Sequence, residues 1–178
     1  MKKILIFLVV TVLLTGCGGN NPRMAVENYL KQYRNLSSEV LVDMERIIEN
    51  ENLSKEQSDK YRDVLRKQYK DLSYEILEEE YDDKVSYVTV KVTVYDLYTA
   101  QSNAFNYLNE NKEKFNNEEG VYDESLFIDY RLEQMKGTTS RIEYTITFTV
   151  VKENDKYVVE QPTENDLLKI HGIYSSEL

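Results

Sequence analysis

The sequence predicts an α+β domain: an antiparallel sheet of about four strands, made of two hairpins, packed on N-terminal and central helices. Three observations lead there. Apolar residues recur at three- and four-residue spacing from Val26 to Tyr69, the period of an amphipathic helix. Apolar and polar residues then alternate over residues 85–95 and again over 140–152, the period of a half-buried strand. Between those two runs the helical period returns, so helices sit before and between hairpins rather than after every strand.

Asn21-Pro22 opens the first helix, because an Asn side chain can accept from a free first-turn N–H and the fixed φ of Pro suits that turn. Val26, Tyr29, Leu30 and Tyr33 begin an apolar stripe that Val40, Leu41, Met44, Ile47 and Ile48 continue beyond a break expected near residues 35–38. Ser54 and Gln57 fit a capping box for a second helix through Tyr61, Val64, Leu65 and Tyr69. Residues 72–80 and 85–95 read as strands joined across Tyr81-Asp82-Asp83-Lys84. In the longer one Val88, Val90, Val92 and Val94 alternate with Thr89, Lys91 and Thr93, which places the valines on one face. Asp96 caps a third helix carrying Leu97, Ala100, Ala104, Leu108 and Phe115. An Asn/Glu-rich loop with Gly120 leads to a short helix around 125–135, which Gly137 is expected to stop. The second hairpin runs over 140–152 and 156–161, turns at Glu153-Asn154-Asp155 and ends at Pro162. Its Ile142, Tyr144, Ile146, Phe148 and Val150 lie opposite Glu143, Thr145, Thr147 and Thr149. One sheet, with its Val/Ile/Phe side on the helices and its Thr side in water, satisfies both hairpins.

Composition narrows the function. The 178 residues carry 32 acidic against 22 basic side chains, a net charge of −10, which argues against a nucleic-acid partner. One Cys and one His leave no disulfide framework, no Cys/His zinc cluster and little material for a triad. Neither a G-x-S-x-G nor an H-E-x-x-H motif occurs. No catalytic residue, metal ligand or cofactor is therefore assigned. Glu78, Glu79, Glu80, Asp82 and Asp83 form the densest carboxylate run, but the spacing fits no EF-hand loop, and a solvated hairpin turn whose charges blunt edge pairing explains it. Asn116, Asn117, Glu118, Glu119, Asp123 and Glu124 are read the same way. His171, among the last eight residues, is expected to be an exposed or partly packed tail residue. Tyrosine is abundant, at 15 residues. Most fit as core-edge or strand residues, while a cluster on the polar face of the sheet, with Tyr87, Tyr95 and Tyr157 as its candidates, is the expected binding surface.

The first residues give an address. Met-Lys-Lys precedes an apolar run from Ile4 to Leu14 that only Thr11 interrupts, followed by Leu14-Thr15-Gly16-Cys17. That order of basic, apolar and small residues is a signal peptide, and the apolar stretch is too short for a stable membrane span. Leu14-Thr15-Gly16-Cys17 resembles the lipobox of bacterial lipoproteins. The resemblance implies that the Cys17 thiol receives a diacylglyceryl group and that the chain is cut just before it. The expected divisions are residues 1–16 as signal peptide, 17–21 as lipidated Cys and flexible tether, and 22–178 as a single α+β domain. One acyl chain binds a bilayer marginally and two anchor it stably, at about 0.8 kcal/mol per buried CH2. Loss of Lys2 and Lys3 with the signal makes the mature chain two charges more negative than −10. The spacer Gly18-Gly19-Asn20-Asn21 reaches roughly 14 Å, beyond a Debye length of about 8 Å, so an acidic globule can stand off anionic headgroups.

Asn21-Pro22 followed by Ala25-Val26-Glu27-Asn28-Tyr29-Leu30, a second helix, then Tyr74-Glu75-Ile76 and Val88-Thr89-Val90-Lys91-Val92-Thr93 resembles small bacterial lipoproteins of the NTF2-like, cystatin-like α+β superfamily. The resemblance covers most of residues 22–161. The third helix, between the hairpins, departs from that superfamily's simplest strand order. The resemblance implies a cone-shaped pocket in which an Asp base and a Tyr donor can meet, with Asp96, Asp129, Tyr95 and Tyr130 as conceivable members. The expected function is a membrane-anchored extracytoplasmic lipoprotein whose domain is a non-enzymatic binding or interaction module, with an envelope protein as the class of partner. The alternative is an NTF2-like pocket that binds or transforms a small apolar molecule. A packed interior favours the first and an enclosed apolar cavity the second.

Overall fold

A computed structural model describes residues 21–82 and 84–175. In chain order they form α1 (Pro22–Asn35), α2 (Ser38–Glu49), α3 (Lys55–Lys70), β1 (Ser73–Glu80), β2 (Val85–Tyr95), α4 (Leu97–Glu110), a 3-10 turn (Lys112–Phe115), α5 (Glu124–Gly137), β3 (Arg141–Glu153), β4 (Lys156–Val159) and α6 (Glu164–His171). The architecture is α+β, with six helices among the described residues and one antiparallel sheet of order β1-β2-β3-β4.

The helix starts follow their caps. Asn21 Oδ1 accepts from Met24 N at 2.8 Å, and Ser54 and Gln57 close the capping box, Gln57 N to Ser54 Oγ at 3.3 Å and Ser54 N to Gln57 Oε1 at 3.1 Å. The amide of Gln57 also donates to the Ser125 carbonyl and hydroxyl at 3.2 and 3.1 Å, so the same cap joins α3 to α5. The break expected near 35–38 falls at Leu36, whose left-handed backbone (φ 52) lets its N–H reach the Tyr33 carbonyl while its side chain packs on the core. Ser37 then caps α2 through Val40 N.

The sheet is two-faced as its alternation requires. Val88, Val90, Val92 and Val94 are fully buried, with Ile146, Phe148 and Val150 beside them on β3. Each such side chain contributes roughly 1.5–3 kcal/mol of burial. On the opposite face Thr89 and Thr147 hydroxyls meet at 3.0 Å, and Lys91 lies between Glu75 and Glu143 at 2.9 and 3.7 Å. β1 is an outer strand, irregular between Ile76 and Glu78, with Leu77 turned into solvent. Beyond β4 the outer edge of β3 is occupied by the C-terminal segment: Glu160 N donates to the Thr149 carbonyl and Lys169 Nζ to that of Thr145.

Four expectations need correction. The third helix stops at Glu110 and reaches Phe115 only as a separate 3-10 turn. Gly137 is the last residue of α5 rather than the residue beyond it, and Thr138 caps that helix. The central helices are not a layer on the sheet: α5 packs on α3, and α4 on α5, with a satellite cluster of Ala104, Phe115 and Phe127 between them. The sheet is covered instead by α1, α3 and α6. The last of these follows Pro162, where the expected elements end.

α6 is tied in by its terminal glycine. Gly172 has φ +73, its carbonyl accepts from Tyr98 N at 2.9 Å, and a Cβ there would lie 2.3 Å from both Gln68 Nε2 and the Tyr95 carbonyl. The left-handed backbone and the backbone clash combine. Gly172→Ala is expected to lower unfolding free energy by about 2–4 kcal/mol in denaturant titrations, whereas Gly120→Ala, with φ +78 but open space around it, costs only about 1 kcal/mol.

Candidate functional site

The C-terminal ends of α1, α3 and α6 converge at one end of the sheet. Their contact is a buried chain of rings: Tyr33 lies 5.3 Å from Tyr69, centroid to centroid, and His171 lies 5.6 Å from Tyr69 and 6.3 Å from Tyr33. Gln68, fully buried, holds the end of β2 with both amide atoms; Tyr95 N donates to Oε1 at 2.8 Å and Nε2 donates to the Tyr95 carbonyl at 3.4 Å. The strand end is thereby fixed against α3.

That fixation aims the Tyr95 side chain outward. Its ring lies between two cations, Lys67 Nζ at 4.4 Å and the Arg141 guanidinium carbon at 4.7 Å, and its hydroxyl donates to Asp71 Oδ2 at 2.8 Å. Arg141 also donates to the carbonyls of Asp71 and Thr93 at 2.6 and 3.0 Å, and Lys67 to those of Lys136 and Thr138. Beside this clasp, Lys31, Arg34, Asn35, Lys70 and Tyr74 line a cleft of about 390 Å³ between α1, α3 and the start of β1. A second surface cleft of about 340 Å³ lies along the outer side of α2, among Leu41, Val42, Glu45, Arg46 and Glu49.

The three tyrosines singled out from the sequence do not share one surface. Tyr87 and Tyr95 are on the polar face of β2 but at its two ends, eight residues or roughly 26 Å apart. Tyr87 is 44% exposed. Tyr157 pairs with Lys152 at the turn of the second hairpin and packs on the core side, with Lys152 Nζ 5.9 Å from its ring. The conceivable acid–donor pairs also stay apart. Asp96 Oδ1 caps α4 through Thr99 N at 2.9 Å, and Asp129 pairs with Lys60 at 2.8 Å. Tyr130 stacks on Tyr107 in the satellite cluster, while Tyr95 sits in its cationic clasp. In the carboxylate run Glu79 pairs with Arg23 at 3.0 Å and accepts from the Tyr81 hydroxyl, while Asp83 lies outside the described residues. Among the described residues no group of three or more His, Cys, Asp or Glu is placed to hold a metal ion.

His171 departs most from expectation. It is 4% exposed rather than a tail residue, because α6 carries it under α1 and α3, where its Nδ1 lies 2.9 Å from the Tyr69 hydroxyl. Burial pushes its pKa down to about 4. The same burial raises the hydroxyls of Tyr33 and Tyr69, so the ring chain is uncharged at neutral pH.

Residues 1–17 match the family model of the prokaryotic membrane lipoprotein lipid attachment site. The chain carries a bacterial lipoprotein signal. Cys17, the last residue of that match, lies outside the described residues, four positions before Asn21 and α1. No curated protein and no solved structure matches the chain. Among the described residues no helix is long and apolar enough to cross a membrane. That signal marks a membrane-anchored lipoprotein.

The buried histidine makes stability depend on pH. The unfolded chain takes up a proton below about pH 6.5 that the folded chain refuses until about pH 4. Stability is therefore full above about 6.5 and falls as pH drops through that window, by about 3 kcal/mol from this group. Glu45, which hydrogen bonds with Arg62 hold below the usual carboxylate range, adds a loss in the same direction. Denaturant unfolding at pH 7, 5 and 4 should show the fall, and His171→Gln, though less stable at pH 7, should show a shallower one.

Proposed function

We propose that the protein is a lipid-anchored binding module on the outer face of the cell membrane, without catalytic chemistry of its own. The observation that carries this is the junction of the lipid attachment site with the domain: after Cys17 only a short Gly/Asn spacer precedes Asn21, whose side chain caps α1. The acyl group thus holds one defined end of the domain close to the bilayer. Arg23 of α1 pairs with Glu79 at the far end of β1, so both hairpin turns lie at that same end. The convergence of helix C-termini lies at the other.

A packed interior supports a binding role over the NTF2-like pocket. Tyr61, Tyr69, Phe148, Leu30 and Leu65, each at 2% exposure or less, fill the space between helices and sheet. Both clefts open on the outside, and neither contains an Asp/Tyr pair. What the surface offers is unspent cation donors at the end away from the tether, which is the equipment of recognition rather than of acid–base chemistry.

The test is the mature N-terminus and its location. Mass spectrometry of protein from its host should find a chain beginning at acylated Cys17, and external protease should degrade the domain on intact protoplasts. Cys17→Ser should move the protein from the membrane fraction to the soluble one or leave it as uncleaved precursor. An intact Met1 with a free thiol, or a domain protected from external protease, would sink the proposal.

A further inference from the structure

We infer that the cleft lined by Lys31, Arg34, Asn35, Lys70 and Tyr74 binds a phosphoryl group carried on a polyol- or sugar-sized body outside the membrane. This names a ligand class for the binding module proposed above and rests on it.

The first support is a set of donors with nothing to bind. Lys31, Arg34 and Lys70 take part in no ion pair with the described residues, and neither the Asn35 amide nor the Tyr74 hydroxyl has a side-chain hydrogen bond there. Glu27 acts on the Tyr74 hydroxyl together with Arg34 and Arg23, and Arg23 engages that carboxylate at 2.9 Å. Of the five residues that line the cleft three are cations and none is an acid, in a chain of net charge −10.

Capping of helix ends does not consume these charges. The C-termini of α1 and α3 carry about half a negative charge each, against three full positive ones, which leaves about +2 in the cleft. A carboxylate neutralises one of those and a phosphomonoester up to two. The guanidinium of Arg34 offers paired N–H groups to two oxygens, and the two ammonium groups can reach the others. At about 390 Å³ the cleft exceeds what a bare phosphate fills, and the half-buried Tyr74 ring gives the remainder an apolar wall suited to a sugar or polyol.

Position separates the sources of such a group. From Arg23 to Arg34, α1 advances about 17 Å, as β1 does from Glu79 back to Tyr74, so the cleft lies about 17 Å farther from the tether than Arg23 does. Headgroups of the anchoring membrane are at the wrong end. The assigned ligand is a soluble or wall-borne polyol or sugar phosphate.

The test uses the full acylated protein in zwitterionic micelles, with its N-terminal mass checked first, so that a missing anchor and an empty cleft are read separately. Inorganic phosphate and glycerol 3-phosphate are titrated by calorimetry or by amide shifts. Glycerol 3-phosphate should bind the tighter of the two, at least tenfold weaker to Arg34→Gln/Lys70→Gln, and unchanged to Lys156→Gln at the opposite end. Both altered residues are solvent-exposed, and an unchanged thermal midpoint confirms the fold. Absence of saturable binding to about 10 mM, or binding that survives the double substitution, overturns the assignment. In vesicles bearing the anchored protein, phosphatidylglycerol should not compete with the probe; competition there would assign a lipid headgroup and overturn the source.

Discussion

The end of β2 is held by a single buried amide. Gln68 accepts from the Tyr95 N–H and donates to the Tyr95 carbonyl, and Gly172 packs against both. A buried donor or acceptor left unpaired costs about 1–3 kcal/mol. One side chain on α3 therefore terminates a strand, seats α6 and fixes the ring chain of Tyr33, Tyr69 and His171 beneath it. Three helices must end in the same place for these contacts to form together.

The charge distribution follows from that convergence. Cations are favoured near helix C-termini, and Arg34, Lys67, Lys70 and Lys169 all occupy last turns. Converging three such ends gathers their cations at one pole. The other pole holds the hairpin turns with Glu78, Glu79, Glu80, Glu153 and Asp155. A net negative chain thus has a positive end, opposite the N-terminus of α1. Some of those cations are spent: Lys67 and Arg141 on the Tyr95 ring and on carbonyls, Lys169 on Asp166. Lys31, Arg34 and Lys70 are not, and the distinction between the two sets carries the functional argument.

Local signals made most of the fold legible. Asn21, Ser54 and Asp96 cap helices as their chemistry requires, and the valine alternation of β2 sets its buried face residue by residue. α6 was equally legible, with Thr163 and Asp166 at its start, Leu167, Leu168 and Ile170 along it and Gly172 beyond it. Its place near the terminus, where chains commonly fray, masks that signal and the burial of His171 with it. The packing of α4 and α5 on α3 could not be read, because amphipathic periodicity says that a face is buried but not against what. The cleft was hidden for a similar reason. Lys31 and Arg34 are neighbours on one helix face, but Lys70 and Tyr74 join them only through the turn from α3 into β1. The tyrosines are conspicuous by number, and number says nothing of which face or which end each one occupies.

If the domain is anchored as proposed, its orientation on the bilayer follows from being tethered at its acidic pole and basic at the other. The chain has a single Cys, at the lipid attachment site, so in the acylated protein a second one can be labelled uniquely. Energy transfer to headgroup acceptors from a fluorophore at Ser73→Cys, beside the cleft, should be weaker than from one at Lys156→Cys, in the hairpin turn near the tether. Equal transfer from the two positions, or stronger transfer from residue 73, would contradict the account.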